Sequence, residues 1–420
     1  MHRSFLERKF KVRKKLCALL SAGLTAACLS GCINEAVTTG GTVSETVSLT
    51  IWSAEEDREL LSEITESFKT EYGSLANFNI AFKAQSESGC KDALLDDPQS
   101  GADVFAFADD QLGALAAAGV LMPIENAEQI RAENLSSAVK AASVNNVLYA
   151  YPITSDNGYF LYYNKSYLTA ENVQKLDTIL NIADQNGKYF TMDWSSAWYV
   201  YSFFGRTGMT VGLNDDGITN YCTWNRTDGD IKGVDVLEAM AKIAGHRSFL
   251  NIGDSEFIEG AKNGSAIAGI SGAWNADTLA EIWGGDLGAA KLPTYTCGGK
   301  QVQMASFSGS KLIGVNAYSK EHEWAEKLAE WIANEKNQIL RFEKRGQIPS
   351  NINAAKSDSV RNSPVAAAVM EQSEYSQLQR VGEQFWNPPV EVAMCIYADN
   401  PPGADYQQML DVMVNKMTAK

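Results

Sequence analysis

The sequence predicts an α/β fold with mostly parallel sheets, and three observations carry that reading. β-rich runs alternate with helix-period runs along most of the chain. The 420 residues are 45% hydrophobic and 21% charged, which is ordinary globular usage. At roughly 150 residues per domain, the length holds two or three domains.

Taken in order, Val47 to Trp52 is a short β-rich run. Ser53-Ala54-Glu55-Glu56 reads as a capping box that opens a helix. Leu60, Ile64, Phe68 and Tyr72 then share one helical face, widened by Leu61. Phe78, Ile80 and Phe82 alternate as a strand does. Lys91 to Leu95 is a short helix, and Val104 to Phe107 is a buried strand. Asp109 or Asp110 caps a helix with Leu112, Leu115 and Ala116 inward, ending at Gly119. Tyr149 to Tyr163 is extended, interrupted by Pro152 and Gly158. Trp194 to Phe204 and Val234 to Ala244 are helical. Phe257 to Trp274 is a helix, a turn at Asn263-Gly264, and a strand. Residues 311–316 form a strand, and Ser319 caps a helix whose apolar face is Trp324, Leu328, Trp331 and Ile332.

The first 31 residues decide the compartment. Seven Lys and Arg precede an apolar run from Leu16 to Leu29, too short to span a bilayer in the usual way. Leu29-Ser30-Gly31-Cys32 resembles a bacterial lipobox, so Cys32 is the expected lipid-attachment residue and residues 1–31 the signal peptide. Residues 32–45 read as a flexible tether, rich in Thr, Gly, Ser and Glu. The formal charge of −15 includes the leader; beyond it stand 29 bases against 50 acids. Such a surface repels phosphate backbones, so no nucleic-acid partner is expected. Only His246 and His322 lie beyond the leader, which rules out a His-rich metal site and supplies His-based triads poorly. No metal or cofactor is expected. Cys90, Cys222, Cys297 and Cys395 are widely spaced without C-x-x-C and read as mostly unpaired thiols.

A family resemblance rests on several pieces in order. Gly101-Ala102-Asp103-Val104, Asp109-Asp110-Gln111-Leu112 and Gly119 to Ile124 form the first. Ala150-Tyr151-Pro152-Ile153, Tyr163-Asn164-Lys165, Phe257 to Trp274 with Gly272-Ala273-Trp274, Leu292-Pro293-Thr294, Phe307 to Ser319 and Gly346 to Asn351 follow. Together they resemble bacterial extracellular solute-binding proteins, and more narrowly the maltose/maltodextrin-binding branch. The resemblance implies a two-lobe, periplasmic-binding-protein-like fold, each lobe a mostly parallel sheet flanked by helices. Lobe one would be residues 46–152 with 309–346, and lobe two 159–303 with 350–420. The hinge would lie near 153–158, 304–308 and 347–349.

A pyranose offers an apolar C–H face and a rim of hydroxyls. Flat aromatics cover the face, while carboxylates and amides bond the rim. By the resemblance, the ligand-binding residues are Glu56, Phe107, Asp110, Gln111, Asp156, Trp198, Trp274 and Trp386. Asp57 stands where the family usually has Lys, and Gln111 where it has Arg, so a less basic cleft is expected. Plainer readings stand beside these: Glu56 closing a capping box, Asp110 an N-cap, Phe107 core, Asp156 a turn former, and one of Trp194 and Trp198 core. The implied function is capture of maltodextrin-like oligosaccharide for the permease subunits of an ABC importer, by a lipid-anchored monomer on the extracytoplasmic membrane face, without catalysis. The alternatives are another oligosaccharide or a polyol phosphate, the latter opposed by the acidic balance and aromatic wealth, a secreted glycan-degrading enzyme, or a surface adhesion module. A calcium loop at Asn214 to Gly217 lacks the Glu an EF-hand requires twelve residues in, and reads as a polar turn.

Overall fold

The computed structural model describes residues 46–399 and 404–419. The leader, the tether and Cys32 lie outside the described residues. The chain begins with strand β1 (Thr46–Ser53), then helix α1 (Arg58–Tyr72), β2 (Asn77–Ala84), β3 (Val104–Ala108), α2 (Leu112–Ala117) and β4 (Tyr151–Pro152). It crosses into a second lobe with β5 (Tyr159–Asn164), β6 (Tyr189–Thr191), α3 (Ala197–Phe204), α4 (Gly233–Ala244), β7 (Phe249–Leu250), α5 (Asp254–Lys262), β8 (Ala266–Gly272), α6 (Ala276–Trp283) and β9 (Leu287–Ala290). It returns through β10 (Lys311–Val315), α7 (His322–Ala333) and α8 (Glu335–Arg345), and finishes on lobe two with α9 (Pro388–Asp399) and α10 (Tyr406–Met417).

Two five-stranded sheets result, in the orders β2-β1-β3-β10-β4 and β7-β6-β8-β5-β9. Both are mixed rather than mostly parallel. Each has two parallel pairings and two antiparallel ones. The reason lies in how the chain enters. Parallel neighbours need a crossover connection, usually a helix. β5 and β10 instead arrive straight from the other lobe, and each runs against its neighbours. The crossings bond to one another: Asn157 donates its N–H to the Gly309 carbonyl (3.3 Å) and Ser155 to that of Ile348 (2.9 Å).

Each sheet has its own core. Val47, Leu49, Ile51, Phe105, Phe107, Leu312 and Ile313 are buried with α1 and α7 around the first sheet. The helical face read from the sequence packs there: Phe68 and Tyr72 lie 6.2 and 5.8 Å from the Trp331 ring. Around the second sheet, Trp194, Trp224, Phe190 and Phe204 are fully buried. The third crossing ends later than expected. Ile352 still donates to the Glu133 carbonyl (2.8 Å), and the Ser350 carbonyl accepts from Leu135 N–H (2.9 Å), so residues 350–352 remain on lobe one. The expected capping box does not form. Ser53 Oγ donates to Asp57 (3.4 Å), and residues Glu55–Asp57 make a 3₁₀ turn without a side-chain cap. Cys90, Cys222, Cys297 and Cys395 are free thiols, and burial pushes Cys90 up to about 12. Asp216 accepts from the N–H groups of Ile218 and Thr219 (2.9 and 2.8 Å), with Gly217 left-handed, which makes residues 214–217 a polar turn. Among the described residues no helix is long and apolar enough to cross a membrane.

Candidate functional site

A cleft of about 590 Å³ opens where the lobes meet the crossings. One wall comes from lobe two. β8 ends at Gly272 and leads through a 3₁₀ turn into α6, and that turn carries Trp274. The Trp274 side chain is 50% exposed, unusual for so large an apolar group. Its orientation is fixed. Nε1–H donates to Asp254 (2.7 Å), whose other oxygen accepts from Ser271 Oγ (2.7 Å). The six-membered edge of the ring lies over Gly272, where a Cβ would come within 2.0 Å of it. The Gly-x-Trp spacing thus has a physical cause: only a residue without Cβ lets this indole lie down on the backbone behind it. Trp198, partly buried on α3, packs against Trp274 with centroids 5.8 Å apart and planes tilted by 30°. Its carbonyl accepts from Tyr159 Oη (2.6 Å), and its own buried Nε1–H has no acceptor among the described residues.

The other wall is ionic. Lys311, at the start of β10, pairs with Glu87 (3.0 Å). Arg345, the last residue of α8, pairs with Asp57 (3.2 Å). Gly346 follows in the left-handed conformation that ends the helix and turns Gln347 into the cleft. Behind Arg345, Asp57 and Arg341 form a buried pair at 2.6 Å, each side chain 1% exposed. Burial alone would raise the Asp57 carboxyl, but Arg341, Lys311 and Arg345 outweigh it and hold it below the usual range. Asp156, on the first crossing, lines the floor and accepts from Ile348 N–H (3.0 Å). Burial pushes its carboxyl up, opposed by the Thr154 hydroxyl and the Lys311 charge.

Of the eight residues expected to bind ligand, the structure brings Asp156 and Trp274 to the cleft and sets Trp198 against Trp274. The other five stand elsewhere. Phe107 is fully buried in the lobe-one core because β3 is a central strand with apolar neighbours on both faces. Gln111 is also buried. Its amide accepts from Lys91 N–H (2.9 Å) and donates to the carbonyls of Glu87 and Ser88 (2.7 and 3.0 Å). It therefore holds the loop that brings Glu87 and Ser88 to the cleft. Asp110 is exposed on the turn before α2 and lines no part of the cleft; its neighbour Asp109 is the buried one. Glu56 is exposed on the 3₁₀ turn before α1, outside the lining. Trp386 lies against the lobe-two core, edge-on to Phe385 at 5.1 Å.

The cleft carries two cations that the expectation did not include, beside the acids Glu87, Asp156 and Asp277. Asp57 is withdrawn into a buried pair, and Lys311 and Arg345 supply cations from segments distant in sequence. Lys311, Arg345, Glu87, Asp277 and Gln347 were all missed. The signal that could have found Lys311 and Arg345 was their position: each borders an expected hinge crossing, where chain from both lobes must converge.

Two α/β lobes joined by crossings, with a cleft between an aromatic wall and an ionic one, define a two-lobe ligand-capturing protein. The chain belongs to the bacterial extracellular solute-binding protein family, whose model matches residues 63–368. A galactooligosaccharide-binding protein of Bacillus subtilis is 26% identical over 86% of this chain and 87% of its own. A maltooligosaccharide ABC transporter solute-binding lipoprotein of Streptococcus pneumoniae is 24% identical over 81% of each. A maltodextrin-binding protein from L. casei BL23, solved without ligand, is similar with a TM-score of 0.77 at 25% identity, over 89% of this chain and 100% of that one.

Proposed function

We propose that this protein captures neutral, maltodextrin-like oligosaccharides by closing its lobes on them, without chemistry. We also propose that it is tethered by lipid on Cys32 at the extracytoplasmic membrane face and hands the sugar to the permease subunits of an ABC importer. The observation that carries the reading is Trp274, a half-exposed indole whose Nε1–H is already engaged by Asp254, so that the ring is held as a platform. An aromatic face so fixed suits the C–H face of a pyranose, and Trp198 continues it. The opposite wall supplies donors and acceptors, each cation beside a carboxylate: Lys311 beside Glu87, and Arg345 beside the Asp57 it shares with Arg341. That favours a neutral ligand over a phosphate, which would be brought close to a carboxylate at each cation. The relatives named for maltodextrin and maltooligosaccharide support the α-glucan assignment. The relative named for galactooligosaccharide, aligned over 86% of this chain, puts β-galactosides in the same test.

Titration calorimetry and thermal shift against maltotriose to maltoheptaose, galactooligosaccharides and glycerol phosphate test the reading. A cognate ligand at a hundred times its Kd stabilises by about 2.7 kcal/mol. The expected outcome is stabilisation by a neutral oligosaccharide that chromatography then recovers intact. Shortened sugar would make the protein an enzyme, and preference for the phosphate would end the neutral-ligand argument. Cys32→Ala should release the protein from membranes; unchanged partitioning would refute the lipid anchor.

A further inference from the structure

Arg345 stands apart among the cleft cations. It is the C-terminal residue of α8, its side chain is 33% exposed, and it lines the cleft beside Gly346 and Gln347. One bond holds it: Nε donates to Asp57 Oδ1 at 3.2 Å. Asp57 cannot follow Arg345 into solvent, because its other oxygen is locked to Arg341 (2.6 Å), fully buried and itself bonded to Gln347 (2.8 Å). The guanidinium therefore has a fixed root. Its two terminal nitrogens carry four N–H donors that no acceptor among the described residues takes up. A planar fork with paired donors matches two adjacent acceptor oxygens. The acceptors that neutral ligands offer in such pairs are vicinal hydroxyls of a pyranose rim. A bound anion is disfavoured at this point, because Asp57 accepts from Arg345 itself and Glu87 and Asp156 line the same cleft.

We propose that Arg345 is a specificity-determining residue that donates its terminal N–H groups to a vicinal hydroxyl pair of the bound sugar, with Asp57 fixing the direction of the fork. The assignment rests on the oligosaccharide reading of the cleft. It places the selection of hydroxyl stereochemistry on the lobe-one wall, while Trp274 covers the ring face from lobe two. The geometry of the pair, not the charge, does the selecting, so Lys at this position is not a substitute.

Calorimetry with maltotriose and its monodeoxy derivatives, on wild type, Arg345→Ala and Arg345→Lys, tests this, with Trp274→Ala as the cleft control. Removing a charge-assisted pair costs about ten- to a hundredfold in affinity. The expected result is a loss of that size in both Arg345 variants, at unchanged melting temperature without ligand. At least one monodeoxy sugar should bind wild type at least tenfold more weakly than maltotriose yet cost the variants nothing further. If Arg345→Ala binds maltotriose as wild type does while Trp274→Ala does not, Arg345 is overturned and the sugar cleft stands. If the variants lose affinity but keep full sensitivity to every deoxy position, Arg345 shapes the helix end without touching sugar, and the assignment is equally overturned. If wild type binds neither maltotriose nor galactotriose, the oligosaccharide reading fails and takes this assignment with it.

Discussion

Trp274→Ala separates a ligand platform from a core residue, and the structure sets the size of the effect. The side chain is 50% exposed. A fully covered aromatic side chain buries up to about 250 Å², so roughly 125 Å² of this one is available to a ligand. At about 25 cal/mol per Å², covering all of it contributes ~3 kcal/mol and covering one face ~1.5 kcal/mol. Truncation should therefore weaken binding by roughly tenfold to 150-fold. Stability should change little. Asp254 keeps Ser271 Oγ as a partner after the indole is gone, so no carboxylate oxygen pair is orphaned. Trp331→Ala provides the contrast. That ring packs between Phe68 and Tyr72 and donates to Ser67 Oγ (3.0 Å), and removing it should cost ~3 kcal/mol of folding stability. Calorimetry with maltotriose and a melting scan on both variants read the two effects separately. If Trp274→Ala binds normally, or melts as early as Trp331→Ala, the ring is not a platform and the cleft reasoning fails.

Three further changes probe the same geometry. Gly272→Ala leaves the backbone in an allowed conformation (φ −99°) but pushes a Cβ into the Trp274 ring, so it should weaken maltotriose binding at least about fivefold while Tm moves little; unchanged affinity would show that ring placement is immaterial. Asp57→Asn strips the buried Arg341 of its counter-charge and should cost about 3–5 kcal/mol by denaturant unfolding at neutral pH. Because the Asp57 carboxyl is held below its unfolded value, its contribution is present above about pH 4 and is lost as pH falls through the depressed folded value, so wild type and variant should converge in acid; a gap that stays constant would refute the pairing. Arg380→Ala removes the lobe-two side chain that reaches Asp109 on lobe one (2.9 Å), leaving that buried carboxylate with the Ser310 N–H (2.9 Å). Asp109 is already raised by burial, which the partly exposed Arg380 opposes, so losing this charge-assisted bond should cost about 2 kcal/mol at neutral pH, and the deficit should shrink as acid protonates the group.

What could be read from sequence followed the reach of each interaction. Patterns set by neighbours in the chain were legible: the α1 face, and the helix, turn and strand read over Phe257 to Trp274, which run from Asp254 to Gly272 with Gly264 left-handed. Residues whose role depends on distant partners were not legible. Asp57 sits 284 residues from Arg341, and nothing around it marks a buried acid. Phe107 misled for a different reason. Val-Phe-Ala-Phe has no polar alternation, so it does not say which side chain faces a cleft, and in a central strand none needs to. Gln111 was noticed as a departure at a binding position, yet its amide is spent on the loop at residues 87–91. Such a change of role, from contacting ligand to placing the residues that line the cleft, is invisible without coordinates.

The division of labour between the walls bears on how a ligand could drive closure. A ligand shifts a two-state equilibrium only by the difference in its free energy with the two states. A sugar resting on Trp274 alone gains its face contact whether or not lobe one is near, and so exerts no closing bias. The bias must come from the second wall, where Lys311 and Arg345 stand paired to carboxylates that fix them without consuming all their donors. Contacts made to both walls at once exist only in the closed arrangement. Moving a population from 1:99 to 99:1 takes about 5.5 kcal/mol of such differential binding. Two or three charge-assisted bonds at about 1.5–3 kcal/mol each sum to roughly 3–9 kcal/mol, a range that brackets that figure, whereas the stacking contact, common to both states, adds affinity without adding closure. Substitutions at Trp274 and Arg345 should therefore differ in kind: the first lowers affinity at constant closed fraction under saturating sugar, and the second lowers the closed fraction itself, which small-angle scattering at saturation distinguishes.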